Sequence, residues 1–156
     1  MTSRCAIVWT DVNLMPEARA LIEDHGWIIE HRAEGSRDGV ERASAIVAGS
    51  LLKGDATLFA CAPALQVIAR CGIGHDRIDL GAATQAGVCA VNTPEAPTES
   101  TAEFAIALML AVARKLAPAA AALAAGEWLS GPALVGFDLE GKTVGLVGCG
   151  RIGRRV

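Results

Sequence analysis

No C-x-x-C pair, no apolar run long enough to cross a bilayer and no excess of positive charge occur in these 156 residues. Each absence removes a class of function. The five cysteines, Cys5, Cys61, Cys71, Cys89 and Cys149, are odd in number and scattered, which argues against a disulfide frame or a zinc site. It predicts free, mostly buried thiols in a reducing compartment and no metal centre. The longest unbroken apolar run, Phe104 to Ala113, is ten residues, half of the roughly 20 that a membrane-spanning helix needs. The opening MTSRCAIVWTDV holds too short an apolar stretch for a signal peptide, so a cytoplasmic protein is expected. A net charge of −3 offers no footprint for nucleic acid or an anionic membrane.

What is present is a globular composition, 52% hydrophobic and 20% charged, in a chain long enough to bury a core. Short apolar runs alternate with helical patterns. Ala6 to Trp9, Trp27 to Glu30, Ala45 to Ala48, Leu65 to Ala69 and Val88 to Val91 read as strands. Pro16 to His25, with Ala18, Leu21 and Ile22 at helical spacing and Gly26 as the stop, reads as a helix. Val40 to Ala45, Ala56 to Cys61 and a helix capped by Asp79 and ended near Gly87 complete the series. This alternation predicts an α/β fold, a doubly wound parallel sheet with helices on both faces.

Asn92-Thr93-Pro94 to Pro97 carries turn chemistry and marks a boundary, dividing the chain into 1–97 and 98–156. Beyond it Thr98 or Ser100 can cap a helix that runs from Ala102 to about Ala125, interrupted at Pro118. Because Phe104 to Ala113 is apolar on every side, this helix needs cover all round by protein, and as these residues leave little to supply it, exposed apolar faces are expected. After an irregular connection from Gly131 to Gly141, the β-branched run Thr143 to Val147 predicts a final strand. It leads into Gly148-Cys149-Gly150-Arg151-Ile152-Gly153.

A strand followed by G-x-G-x-x-G opens a dinucleotide-binding βαβ unit. Gly148 permits the tight turn, Gly150 lets backbone approach a pyrophosphate, and Gly153 lets the next helix pack close. The competing reading is an ordinary glycine-rich strand-to-helix turn. A second ligand edge is suggested by Ser50, just after the third strand, and by the Gly72-Ile73-Gly74 loop after the fourth, because doubly wound sheets bind ligands at the C-terminal ends of their strands. Either could equally be a plain turn, with Asp76 as a local cap. His75 adjoins the loop and reads more simply as a solvated side chain, as do His25 and His31.

The motifs R-x-G-x-G-x-D-x-I-D (Arg70 to Asp79), N-T-P (Asn92 to Pro94), T-E-S-x-A-E (Thr98 to Glu103) and G-x-G-R-I-G (Gly148 to Gly153), in this order, closely resemble the D-isomer-specific 2-hydroxyacid dehydrogenases. The likeness is strong from Leu65 to Val156 and rests only on βα rhythm before that. It implies a flavodoxin-like domain that is the N-terminal part of the substrate domain (1–97), followed by a crossover helix and the truncated start of a Rossmann domain (98–156). It implies NAD or NADP as cofactor and a small 2-hydroxy or 2-oxo acid as substrate. Backbone amides around Ile73 and Gly74 would hold the substrate carboxylate beside the nicotinamide, and Gly148, Gly150, Arg151, Ile152 and Gly153 would meet the pyrophosphate. The family's catalytic arginine, glutamate and histidine map onto no position of this sequence, so the chain by itself is expected to be inactive. A homodimer is expected of the intact enzyme. Where relatives acting on phosphoglycerate tend to carry an arginine, Gly49 stands here. The resemblance also leaves room for a dinucleotide-sensing corepressor-like regulator on the same scaffold, and a free-standing flavodoxin-like interaction module is the reading outside it.

Overall fold

Five four-residue strands form one parallel sheet in the computed structural model, which describes residues 6–156. They are β1 (Ile7–Thr10), β2 (Ile28–His31), β3 (Ala45–Ala48), β4 (Val67–Arg70) and β5 (Cys89–Asn92), in the order β2-β1-β3-β4-β5. The helices are α1 (Pro16–Asp24), α2 (Ala56–Cys61), α3 (Leu80–Gln85), α4 (Thr98–Ala113) and α5 (Leu116–Ala124). Two compact units divide the chain, 1–96 and 97–156.

In the first unit the register aligns Trp9 with Ile46, Ile46 with Ile68 and Ile68 with Ala90. Trp9, Ile46 and Ile68 are completely buried, and with Leu58 and Phe59 of α2, Ala83 of α3 and Leu52, Leu65, Ile78 and Val88 they form the core. Burying each of the large members contributes about 1.5–3 kcal/mol. The buried indole N–H of Trp9 donates to the Asp38 carbonyl at 2.9 Å, so it carries no desolvation penalty. The chain steps from β1 to β2 in one direction and from β3 through β5 in the other, and crossovers of the usual right hand then put α1 on the face opposite α2 and α3. The reversal falls between β1 and β3, where such a sheet opens a crevice at its C-terminal edge.

Two helices begin as their side chains dictate. Asp55 and Asp79 accept from the N–H groups of Leu58 (3.0 Å) and Ala82 (2.9 Å), the N-cap bond that satisfies an otherwise orphan donor.

Several expectations are corrected. Four of the strands run one or two residues later than the apolar runs, because the parallel ladder continues into the polar ends Thr10, His31, Arg70 and Asn92. Val40 begins only a 3-10 turn (Val40–Arg42), cut short because Ser44 and Ala45 are drawn into the sheet. Helix α1 buries no residue, and Leu21 is 63% exposed. The four described cysteines are free but exposed: Cys89 lies on an edge strand and Cys71 and Cys149 on turns, outside any packed face. Cys5 lies outside the described residues.

The second unit departs further. Helix α4 starts at Thr98, and Ser100 and Thr101 donate back to the Pro97 carbonyl at 3.2 and 2.6 Å instead of capping, the habit of hydroxyls inside a helix. The break falls at Arg114-Lys115, where Lys115 takes φ 55°, and α5 then begins at Leu116. Pro118 thus sits in the first turn of α5, where its missing N–H costs nothing. Among the described residues no single helix is long and apolar enough to cross a membrane, and α4 and α5 are bent by 73°. As expected, α4 keeps uncovered apolar faces: Phe104, Leu108 and Val112 are 63%, 50% and 69% exposed. The strand expected over Thr143–Val147 does not form. A strand takes its ladder from a neighbour, and every ladder among the described residues lies within β1–β5. Val144, Leu146 and Val147 are left exposed.

Candidate functional site

The C-terminal ends of β1, β3, β4 and β5 feed loops that are tied to one another by specific bonds. Asp11, at the end of β1, is buried, and its carboxylate accepts from the Gly49 N–H at 2.6 Å and the Gly35 N–H at 2.9 Å. One side chain therefore holds the loops that leave β3 and β2. At Gly49 any Cβ would stand 2.8 Å from Val12 Cγ1 and 3.1 Å from Asp11 Oδ1, so the tip of β3 closes on Asp11 only because no side chain is there. Ser50 is exposed beside it and donates from its hydroxyl to Glu34 Oε1 at 3.0 Å.

The loop after β4 is held from the other side. The Gly72 N–H donates to Thr93 Oγ1 (2.9 Å), the Thr93 N–H to the Gly72 carbonyl (3.1 Å), and the Asn92 amide to the Ile73 carbonyl (2.8 Å). Gly72 has φ 132°, a backbone state that L side chains rarely adopt. The loops after β3 and β4 are joined in turn by a parallel bridge between Gly54 and Ile78, and the Cys71 N–H donates to the Ala48 carbonyl at 3.2 Å. In this pinned arrangement the N–H groups of Ile73 and Gly74 donate to no acceptor among the described residues. A rigid pair of unspent donors at the C-terminal edge of a parallel sheet is suited to an anion such as a carboxylate. Ser50, Ile73 and Gly74 thus lie on adjacent loops of one edge.

Further round, Arg37 pairs with Asp55 at 2.8 Å. That hydrogen bond, with a smaller contribution from the Leu58 N–H, holds the Asp55 carboxyl below the usual carboxylate range. His75 lines a cavity of about 200 Å³ with Ile78, Leu80 and Val91. Among the described residues there is no group of histidine, cysteine and carboxylate side chains that could hold a metal ion.

In the second unit the glycine turn closes tightly. Gly148 has φ 108°, and a Cβ at Gly153 would collide with the Gly148 carbonyl oxygen. A Cβ at Gly150 would meet nothing within 4 Å, which leaves its backbone open to a ligand. Residues 151–155 make a single turn, with the Arg154 N–H bonded to the Gly150 carbonyl (3.1 Å) and the Val156 N–H to the Ile152 carbonyl (3.2 Å). Arg155 pairs with Glu99 at 2.8 Å. Gly148, Gly150, Arg151, Ile152 and Gly153 therefore share one exposed turn, although no strand leads into it.

The residues that sequence reasoning missed are Asp11, Glu34, Asn92 and Thr93. An aspartate directly after the first strand of a doubly wound pattern was a usable signal for the first. Asn92 and Thr93 stood in the N-T-P motif without a role assigned, and their partners, like that of Glu34, lie 16 to 21 residues away.

The model of the D-isomer specific 2-hydroxyacid dehydrogenase catalytic domain matches residues 7–143. The chain belongs to this family. It is 42% identical over 144 residues to D-3-phosphoglycerate dehydrogenase of Archaeoglobus fulgidus, covering 90% of this chain and 27% of that protein. It is 40% identical over 121 residues to glyoxylate reductase of Thermococcus litoralis, covering 74% of this chain and 37% of that one. Among solved structures, the TT0316 protein of Thermus thermophilus superposes with a TM-score of 0.88 at 34% identity, over 96% of this chain and 50% of that one. This member of the dehydrogenase family thus spans 27% to 37% of the length of these curated relatives and half of that structure.

Proposed function

We propose that the intact protein of which these residues form part is a nicotinamide-dependent oxidoreductase that moves a hydride between the dinucleotide and a small 2-hydroxy or 2-oxo acid. The observation that carries this reading is the pair of unspent N–H groups of Ile73 and Gly74 on a loop pinned by Asn92 and Thr93. In this reading they hold the substrate carboxylate, and Ser50 contacts the rest of the acid. Residues 1–97 serve as the front part of the substrate domain and 98–156 as the beginning of the cofactor domain.

The glycine turn fits a dinucleotide pyrophosphate, given the open backbone at Gly150 and the tight closure at Gly153. Gly148, Gly150, Arg151, Ile152 and Gly153 would hold it. The bound dinucleotide supplies the hydride acceptor or donor. Reduction of a 2-oxo acid also needs a cation to polarise the carbonyl and an acid to supply a proton. We assign neither role to a residue of this chain, so we expect no turnover from these 156 residues alone. For the intact enzyme the family resemblance leads us to expect a homodimer.

The test is an NMR titration of the isotope-labelled chain with pyruvate and with acetate. Saturable shifts of the Ile73 and Gly74 amides with pyruvate, larger than those with acetate, are expected. Unmoved amides at millimolar pyruvate would refute the assignment.

A further inference from the structure

Resting on the reading of Ile73 and Gly74 as the carboxylate seat, we infer that Asn92 is the positioning residue of that seat: its side-chain amide, acting through the Ile73–Gly74 peptide, aims the Gly74 N–H at the ligand. A trans peptide is planar, with its C=O and N–H pointing in opposite directions, and no cis bond occurs among the described residues. Fixing a carbonyl therefore aims the N–H of the next residue. Asn92 Nδ2 donates to the Ile73 carbonyl at 2.8 Å, which turns the Gly74 N–H away from Asn92. The Thr93 N–H donates to the Gly72 carbonyl at 3.1 Å, which does the same for the Ile73 N–H. Two consecutive residues at the end of β5 thus hold two consecutive carbonyls, and the two N–H groups emerge together on the far side. Adjacent backbone donors of common direction match the two oxygens of a carboxylate.

The two holds differ in kind. The one that aims Ile73 comes from the Thr93 backbone and survives any substitution there except proline. The one that aims Gly74 rests on a side chain, so a single change at Asn92 releases it. A hydrogen bond on the carbonyl also polarises the peptide and makes its N–H a stronger donor. Arg70 adds charge without direction. Its guanidinium stands 3.7–3.8 Å from where a Cβ at Gly72 would be, and its Nη1 donates to the Cys71 carbonyl. No carboxylate pairs with it among the described residues. Arg70 therefore draws any anion to this loop, whereas Asn92 decides how a carboxylate sits on it.

The experiment is the pyruvate titration of the isotope-labelled full chain, run on wild type, Asn92→Ala, Asn92→Asp and Thr93→Val. Asn92 and Thr93 are both exposed, so these changes leave the core intact. Thr93→Val is the matched comparison: it removes a side-chain bond to the same loop, from the Gly72 N–H to Thr93 Oγ1 at 2.9 Å, and keeps both carbonyl holds. Without ligand, the Gly74 amide nitrogen should shift in both Asn92 variants while that of Ile73 stays. Pyruvate should bind Asn92→Ala about tenfold more weakly, the scale of one hydrogen bond to a charged group. Asn92→Asp, which sets a carboxylate oxygen against the Ile73 carbonyl, should bind it at least as weakly, and Thr93→Val should lose only about twofold. Equal losses in Asn92→Ala and Thr93→Val, or a Gly74 nitrogen unmoved in both Asn92 variants, would overturn Asn92 as the positioning residue and leave the carboxylate seat standing. If pyruvate moves neither amide in wild type, the seat itself fails and this inference fails with it.

Discussion

Asp11→Ala is the most informative single perturbation, because one carboxylate ties three loops together. Its two bonds, to the Gly49 N–H at 2.6 Å and the Gly35 N–H at 2.9 Å, are charge-assisted, and hydrogen bonds to charged groups contribute about 1.5–3 kcal/mol each. They are not equal. Gly35 is exposed and Gly49 is buried, so in the alanine variant water can replace the first bond, whereas the second donor is left without a partner. Counting the second bond in full and the first at a fraction gives a loss of about 3 kcal/mol. At a urea slope near ~1.5 kcal/mol/M for a domain of this size, the midpoint should fall by roughly 2 M. The fluorescence of Trp9, which is completely buried one strand residue from Thr10, reports unfolding of this unit. Asp11→Asn, which keeps one acceptor and turns an N–H₂ toward the other donor, should fall between alanine and wild type. Asp24→Ala, at an exposed position, is the control and should stay within about 0.5 kcal/mol. An Asp11→Ala shift no larger than that control would refute the idea that this carboxylate organises the edge.

Three further expectations follow from other parts of the molecule. Asp55→Ala removes the cap of α2 and should cost about 1 kcal/mol. The Asp55 carboxyl is held low by Arg37, so the stability it contributes is present above the carboxylate's unfolded value and is lost as pH falls through the lower folded one. Urea midpoints followed on acidification should drop less steeply in Asp55→Asn than in wild type, and parallel curves would contradict this. Gly153→Ala should open the glycine turn, because its Cβ would collide with the Gly148 oxygen, while Gly150→Ala, with nothing within 4 Å, should leave it closed. Amide shifts of residues 148–153 distinguish the two, and equal responses would mean the turn is not closed as described. Finally, Phe104, Leu108 and Val112 lie four residues apart on α4 and are exposed, an apolar row that favours association. Light scattering should show oligomers for the wild-type chain and a shift toward monomer when all three are replaced by lysine. A monodisperse wild-type monomer would rule this out.

Much of the architecture was legible in the residues because it rests on local causes. Asp79 caps α3 through a bond to a residue three positions on. The span Ala45–Ala48 reads as a strand because four apolar residues are bounded by turn formers, and the resemblance to the family is carried by the motifs at Arg70 to Asp79 and Gly148 to Gly153. Such features depend on a few consecutive residues, and a string of residues displays them directly. Tertiary structure decided the rest. The Asp11 carboxylate reaches donors 24 and 38 residues away, and nothing in its neighbours along the chain names those partners. Thr143 to Val147 has the composition of a strand but no ladder among the described residues, since β-structure is a property of pairs and not of segments. The break between α4 and α5 fell at Lys115 and not at Pro118, because a proline is harmless in a first turn and only the three-dimensional path says where the first turn is.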